Sequence, residues 1–148
     1  MTDPLLKAEM IRDEGMRLDA YPDSLGFWTI GIGHLLGKEK RMTSITAAEC
    51  DALYAYDIDA AEQIARECVP MFDALPAVRQ RALVNMAFNR GDHMRTSTTI
   101  TPAINAAVAS GTPAAWEAVA AAMLSSEWAQ QVGIRAKRLA GMLQYGTT

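Results

Sequence analysis

The sequence holds little of what metal sites and disulfide frameworks are made from: it has two cysteines and two histidines. Cys50 and Cys68 fit no metal-binding spacing, and neither has another cysteine or a histidine nearby in the sequence. Both fall on one predicted long helix. They are therefore interpreted as reduced, structural thiols, which fits synthesis in the cytosol. The sequence implies no metal and no cofactor.

Long apolar runs and a basic excess are missing as well. No stretch approaches the roughly 20 apolar residues that a membrane span needs. The first residues, MTDPLLKAEMIRDEG, show no basic region followed by an unbroken apolar one, so no export signal is expected. The formal net charge of −3 argues against a general nucleic-acid binder, which would carry a basic face.

What the chain does have is enough apolar material for a core. It contains 148 residues, half of them hydrophobic, with no internal repeat and no enrichment in glycine or proline. Disorder is therefore not expected. The length fits one domain or two small lobes.

The first third of the chain predicts a helix, a hairpin and a second helix. Asp3-Pro4 is a helix start, and Gly15 follows a stripe of Leu6, Met10 and Glu14. Strands are predicted over 17–21 and 27–34 around the turn 22–26. Two glycines in the second strand, Gly31 and Gly33, indicate that another group approaches its surface closely. A basic loop over 37–45 precedes Thr46-Ala47-Ala48-Glu49, a capping box that opens a helix to about residue 67, with a stripe through Leu53, Asp57, Ala61, Ile64 and Cys68.

The remainder of the chain predicts helices. Pro76 opens one that Gly91 ends, a polar loop runs from Asp92 to Thr101, and Thr101-Pro102 and Thr112-Pro113 each start another helix. A last helix covers about 134–143. The predicted class is α+β: a single domain over 1–148, with a hairpin lobe at 14–58, a helical lobe formed by 1–13 and 70–148, and a connecting helix at about 47–67. A cleft between two such lobes is a usual ligand site.

Two acids flank the first turn, and their environments differ. Cleavage of a glycosidic bond needs one protonated carboxyl group and a second, ionised one that handles water or the sugar cation. Glu14, on an apolar stripe at a helix end, fits the first role, and Asp23, in a polar turn, fits the second. Thr29 on the returning strand can reach the same space. An acid near a helix end and an aspartate in a turn are also ordinary features of proteins. The spacing alone therefore leaves open both a catalytic role and a purely structural role for the two acids.

The order of residues around these acids resembles a known family. The segment holds Glu14-Gly15, Arg17-Leu18, Tyr21, Asp23, Gly26 and the run from Thr29 to Leu36. It is similar to the catalytic hairpin of the phage-type lysozymes, the muramidases of glycoside hydrolase family 24, and to those of T-even phages in particular. The resemblance continues in order through nearly the whole chain, at Asp57–Ala61, Ala77–Arg79, Val84–Asn89, Trp128 and Arg135–Arg138.

The resemblance implies a lysozyme fold that cleaves peptidoglycan between N-acetylmuramic acid and N-acetylglucosamine with inversion of the anomeric centre. By position, Glu14 is the general acid, Asp23 assists the attacking water, and Thr29 holds that water. Supporting and binding residues also follow from the resemblance: Leu35, Phe88 and Thr101 match substrate-cleft positions, Arg135 matches a basic residue beside the catalytic glutamate, and His34 and Asp57 match a structural ion pair between hairpin and long helix.

Several residues have competing interpretations. A histidine such as His34 is also compatible with a catalytic base or a metal ligand, whereas His93 is expected in a solvated loop. Asn85 is interpreted as a polar core residue satisfied by backbone, with a ligand contact as the alternative. Trp116 and Trp128 are more typical of core than of sugar platforms. The chain also departs from the family: loop 37–45 is shorter, so an extra hairpin strand is expected to be missing, and Ala122 stands where the family has a substrate-contacting asparagine.

The function predicted from these features is that of an endolysin. Such a protein would be made in the cytoplasm of the host bacterium and would reach the wall after a holin-type protein breaches the membrane. Its partner would be peptidoglycan rather than nucleic acid, and it would act as a monomer. Two alternatives stay open: a non-catalytic wall-binding or structural module on a lysozyme fold, and a lytic transglycosylase, which usually manages without a second acid such as Asp23.

Overall fold

The computed structural model describes residues 3–147 and divides the chain into two compact units. The first unit ends at Asp59 and the second begins at Ala60, so the boundary lies inside a helix. The first unit holds a helix and a three-stranded antiparallel sheet, and the second is helical. The predicted α+β class is confirmed.

The first helix forms as its sequence predicts. Helix α1 spans Pro4–Glu14, with the Asp3 side chain accepting a hydrogen bond from the Leu5 N–H at 2.9 Å. Proline opens the helix and Gly15, with φ of 76°, ends it. Leu6 and Met10 are fully buried on the stripe that leads to Glu14. The helix therefore delivers Glu14 at its carboxyl end.

The sheet differs from the prediction in one respect. Strands β1 (Arg17–Pro22) and β2 (Trp28–Gly31) form the expected hairpin, but the predicted second strand over 27–34 is wrong because it breaks after Gly31. Gly31 and Gly33 have φ values of 66° and 70°, a left-handed conformation that turns the chain into β3 (His34–Gly37). The sheet order is β1-β2-β3.

The segment 37–45 is less irregular than predicted. Its last residues run along the free edge of β1, where the Ala20 N–H donates to the Thr43 carbonyl and the Ile45 N–H to the Leu18 carbonyl, each at 2.9 Å. A single bridge between Asp19 and Ser44 forms there. This contact covers backbone groups that an open edge strand would leave unpaired.

Helix α2 spans Ala47–Cys68 and begins with the predicted capping box. The Thr46 N–H donates to Glu49 Oε2 at 2.7 Å, and the Glu49 N–H donates to Thr46 Oγ1 at 3.2 Å. The predicted apolar stripe is partly wrong, because Leu53 and Ile64 are only half-buried. The buried positions are instead Cys50, Ile58, Ala61, Ala65 and Cys68.

The second unit continues from α2 through seven further helical segments of residues 60–147. A short 3-10 helix at Phe72–Ala74 comes first. It is followed by α3 (Ala77–Arg90), α4 (Asp92–Arg95), α5 (Ile100–Ser110), α6 (Pro113–Leu124), α7 (Glu127–Val132) and α8 (Ile134–Tyr145). Helix α8 packs against α3, α6 and α7. The core of this unit includes Leu83, Met86, Ile104, Val119, Met123 and Leu139.

Two predicted features of this unit are corrected. The polar loop from Asp92 contains helix α4, and α5 begins at Ile100 rather than at Thr101-Pro102. Thr99 is the N-cap residue but makes no capping hydrogen bond with its side chain. Ser97, two residues earlier, supplies an acceptor instead, because its Oγ accepts hydrogen bonds from the N–H groups of Ile100 and Thr101 at 3.1 and 3.4 Å. The caps at Thr112 and at Gly91 lie where the sequence predicted them.

Among residues 3–147, no helix combines the length and the apolar character needed to cross a membrane.

Candidate active site

Glu14 lies against the turn that joins β2 and β3. A Cβ atom placed on Gly33 would come within 3.0 Å of Glu14 Cγ and 3.1 Å of its Cβ and Cδ. The backbone of the turn therefore lies close to the Glu14 side chain, and a Cβ atom at position 33 would press that side chain aside by a few tenths of an ångström. The sequence indicated that some group approaches the strand at Gly31 and Gly33. At Gly33 that group is the Glu14 side chain.

Asp23 is fixed by the turn in which it lies. Its Oδ1 accepts hydrogen bonds from the N–H groups of Leu25 and Phe27, each at 2.8 Å. The Asp23 N–H in turn donates to the Phe27 carbonyl at 2.7 Å and closes the hairpin. Oδ2 accepts no hydrogen bond from residues 3–147, so one carboxylate oxygen is held and the other is available to a water molecule.

Thr29 occupies the middle strand of the sheet, in register with Tyr21 on β1 and Leu35 on β3. Directly paired residues of antiparallel strands project from the same face. The three side chains therefore share one face, two residues from the point where Asp23 closes the hairpin. Thr29 is 8% exposed and Leu35 is 60% exposed.

His34 and Asp57 make the contact that the resemblance implies. The distance between His34 Nδ1 and Asp57 Oδ2 is 2.8 Å, and both side chains are 19% exposed. It joins the start of β3 to helix α2 and gives Asp57 a partner on the half-buried side of that helix. Burial raises the pKa of Asp57, and the hydrogen bond and charge of His34 oppose that rise without cancelling it.

The raised pKa of Asp57 predicts that the wild type and Asp57→Asn differ in their free energy of unfolding by an amount that depends on pH. Because the pKa of Asp57 is higher in the folded than in the unfolded chain, ionising it costs folding free energy, and that cost is absent below the ordinary aspartate pKa of about 3.9. The wild type should therefore lose stability relative to Asp57→Asn as the pH rises from about 3 to about 5.5, below the usual histidine range. Urea unfolding of both proteins across this range measures the difference. If the wild type instead gained stability relative to Asp57→Asn as the pH rises, the His34 contact would outweigh the cost of burying the Asp57 carboxylate.

The remaining predicted site residues lie in the second unit. Phe88 is half-buried on α3. The Thr101 hydroxyl is buried and donates to the Met94 carbonyl at 2.7 Å. Arg135, 6% exposed, donates through Nε to Asn85 Oδ1 at 2.9 Å and through Nη2 to the Asn85 carbonyl at 3.3 Å. The substrate role of Phe88 and Thr101, and the role of Arg135 beside the acid, stay predictions.

The sequence interpretation of Asn85 as a polar core residue is confirmed, because the residue is buried. Its side-chain oxygen accepts a hydrogen bond from Arg135 Nε at 2.9 Å, a partner that the sequence did not indicate. Trp116 and Trp128 are also buried, at 3% and 7% exposure, which fits their assignment to the core.

The two cysteines take no part in the site. Both are free and buried, and desolvation is the largest influence on each, raising the pKa of the Cys50 and Cys68 thiols. Thiols in that condition are poor nucleophiles at neutral pH. In the described part of the chain no group of three or more histidine, cysteine or acidic side chains is placed to hold a metal ion.

The helix-end glutamate, the hairpin aspartate and the strand threonine all lie in the first unit, and their roles in catalysis stay predictions. The class of protein follows from the comparison with known families. The sequence pattern of the family described as phage lysozyme matches residues 12–144, and the chain belongs to this family. It is accordingly a glycoside hydrolase of the lysozyme class.

Two relatives illustrate the kinds of protein in which related sequences occur. A protein of Dictyostelium discoideum named probable T4-type lysozyme 1 is 27% identical over an alignment of 161 positions, gaps included, which covers 91% of each chain. The pre-baseplate central spike protein Gp5 of Enterobacteria phage T4 is 32% identical over an alignment of 166 positions, gaps included, which covers 94% of this chain and 28% of that protein. The same domain thus occurs alone and as part of a larger chain.

Proposed function

We propose that this lysozyme is an endolysin muramidase that hydrolyses the β-1,4 bond between N-acetylmuramic acid and N-acetylglucosamine in bacterial peptidoglycan. The observation that carries the proposal is the local construction around Glu14, Asp23 and Thr29: a glutamate confined by Gly33, a carboxylate oriented by two backbone N–H groups, and a hydroxyl on the central strand. Family membership supports the substrate class.

In the proposed mechanism, Glu14 donates its proton to the glycosidic oxygen as the bond to the anomeric carbon breaks. Asp23 accepts a proton from a water molecule through Oδ2, the oxygen that the turn leaves without a hydrogen bond. The Thr29 hydroxyl orients that water. Attack on the face opposite the leaving group inverts the anomeric carbon, which is the outcome expected when a carboxylate activates water instead of bonding to the sugar.

Digestion of purified peptidoglycan followed by product analysis tests this reaction. We expect new reducing N-acetylmuramic acid ends, and α-anomeric product in NMR spectra taken before mutarotation. Anhydromuramic ends would instead establish a lytic transglycosylase, and wall binding without bond cleavage would establish a non-catalytic module. Retention of the β-anomer would exclude the proposed role of Asp23 and Thr29.

For its biological setting, we propose synthesis in the cytoplasm of a host bacterium and access to the wall after a holin-type protein breaches the membrane, with the protein acting as a monomer in host lysis. The two free, buried thiols fit synthesis in a reducing compartment. The Gp5 relative favours a second candidate setting, a lysozyme carried by a phage spike. Co-purification with assembled particles, rather than release upon lysis, would establish that second setting.

A further inference from the structure

Arg17 and Tyr21 meet on the sheet face that carries Thr29, and no step of the proposed mechanism uses them. Tyr21 pairs with Thr29, and Arg17 pairs with Gly31, two residues further along β2. Paired residues of antiparallel strands project from the same face, and so do residues two apart on one strand. The Arg17 guanidinium carbon lies 4.4 Å from the centre of the Tyr21 ring, which agrees with that placement.

A register shift in β1 brings these two side chains together. Between Arg17 and Tyr21 the strand advances four residues, whereas β2 advances two between their partners. Backbone groups of residues 18–20 bond instead to the segment 43–45. A regular strand would separate Arg17 from Tyr21 by about 13 Å, and the shift shortens this to about 7 Å along the sheet. The Arg17 side chain is thereby brought toward the predicted active site.

Arg17 is exposed and has no acidic partner in the described part of the chain. No carboxylate there lies within 4.0 Å of its guanidinium, and its N–H groups donate to none of those residues. By contrast, Lys7 in the same unit contacts Asp51 at 2.7 Å. The contact with the Tyr21 ring is an attraction between the cation and the ring face, so it leaves the N–H donors of Arg17 available.

We propose that Arg17, positioned by the Tyr21 ring, binds a carboxylate of the substrate beside Thr29. A guanidinium presents planar N–H donors that match the geometry of a carboxylate. Contact with the ring restricts the guanidinium before the anion arrives, so less conformational entropy is lost on binding. Resting on the proposed function, the carboxylate belongs to the peptide of peptidoglycan, because the lactyl carboxyl group of N-acetylmuramic acid is already used in an amide bond to that peptide.

Co-sedimentation with insoluble peptidoglycan, after brief incubation in the cold, tests the proposal without requiring bond cleavage. One preparation keeps its peptide carboxylates, and the other has them converted to amides with carbodiimide and ammonia. We expect the full chain to bind the acidic preparation about tenfold more tightly, which corresponds to about 1.4 kcal/mol. The net charge of −3 would favour the amidated wall, so this preference requires a local cationic site.

Substitutions at the two positions separate the charge from the ring that holds it. Arg17→Gln should bind both preparations with the weaker affinity, and Arg17→Lys should recover part of the difference, because lysine keeps the charge without the planar donors. Tyr21→Leu should lose part of the preference, whereas Tyr21→Phe keeps the ring and should retain it. Equal losses in Tyr21→Leu and Tyr21→Phe would contradict the positioning role of the ring.

Lys40→Gln is the matched control. Lys40 is also an exposed cation on an aromatic ring, with Nζ 4.9 Å from the centre of the Trp28 ring. Trp28 directly precedes Thr29 on β2 and therefore projects from the opposite face of the sheet. This variant should bind both preparations as the wild type does. Equal affinity of the wild type for the two preparations, or an equal loss in Lys40→Gln, would overturn the proposal.

Initial rates on the same preparations separate recognition from catalysis. On the acidic wall, Arg17→Gln should raise the apparent KM about tenfold with kcat within a few-fold of the wild type, because the carboxylate lies away from the bond that breaks. A loss confined to kcat would exclude the binding role. Normal cleavage without any preference for the acidic wall would leave the muramidase function standing and remove this proposal. A preference that depends on Arg17 without cleavage would do the reverse.

Discussion

Replacing Glu14 with glutamine should reduce peptidoglycan hydrolysis by about 10²- to 10⁴-fold, the usual contribution of a general acid. Glutamine has nearly the shape of glutamate and fits the same space beside Gly33, but it has no acidic proton to give to the glycosidic oxygen. The fold should persist, with thermal unfolding close to that of the wild type. Release of reducing ends from purified peptidoglycan measures the rate.

Glu117→Gln is the control for this substitution. Glu117 is exposed on α6, and removing its charge changes the net charge of the chain by the same amount. It should retain full activity. If Glu14→Gln keeps a rate within a few-fold of the wild type while both variants are folded, Glu14 is not the acid and the proposed mechanism fails.

Gly33→Ala should lower the rate by up to about tenfold, because it displaces Glu14 slightly without changing its chemistry. The new Cβ would lie 3.0 to 3.1 Å from three carbons of the Glu14 side chain, including its Cβ, which cannot swing away as a side-chain tip would. A shift of about 1 Å in a catalytic group can cost about 10²-fold, and this contact requires Glu14 to give by only a few tenths of an ångström. The positive φ of Gly33 adds roughly 1 to 2 kcal/mol of destabilisation.

Gly111→Ala separates these two effects. Gly111 has φ of 66°, close to the 70° of Gly33, but an added Cβ there meets nothing within 4 Å. It should lose a similar amount of stability in urea unfolding and keep its activity. Equal activity losses in the two variants would mean that general destabilisation, rather than contact with Glu14, explains the result for Gly33→Ala.

Local signals were sufficient for most of the secondary structure. Asp3-Pro4, Thr46 to Glu49 and Thr112-Pro113 placed three helix starts correctly, since a cap and its partners lie within one turn of chain. The same reasoning failed at Thr101-Pro102, because α5 begins at Ile100 and Ser97 Oγ accepts from its first N–H groups. The Thr101 hydroxyl instead donates to the Met94 carbonyl, a contact that the sequence did not indicate.

The strand that breaks at Gly31 shows a similar limit. The alternation of bulky and small residues predicted a continuous strand, although the two glycines also allowed a turn. The structure has the turn, with positive φ at Gly31 and Gly33 and with Glu14 packed on Gly33. The sequence did indicate that something approaches this backbone. It did not indicate what, because the approaching residue lies on another element.

By itself, the sequence determined the α+β class, the helix boundaries set by caps and glycines, and the candidate acids Glu14 and Asp23, since each depends on residue types at short separations. The tertiary structure decided that Gly33 lies against Glu14 and that Asn85 pairs with Arg135. Those contacts depend on which distant segments meet when the chain buries its apolar surface, and no local pattern specifies that.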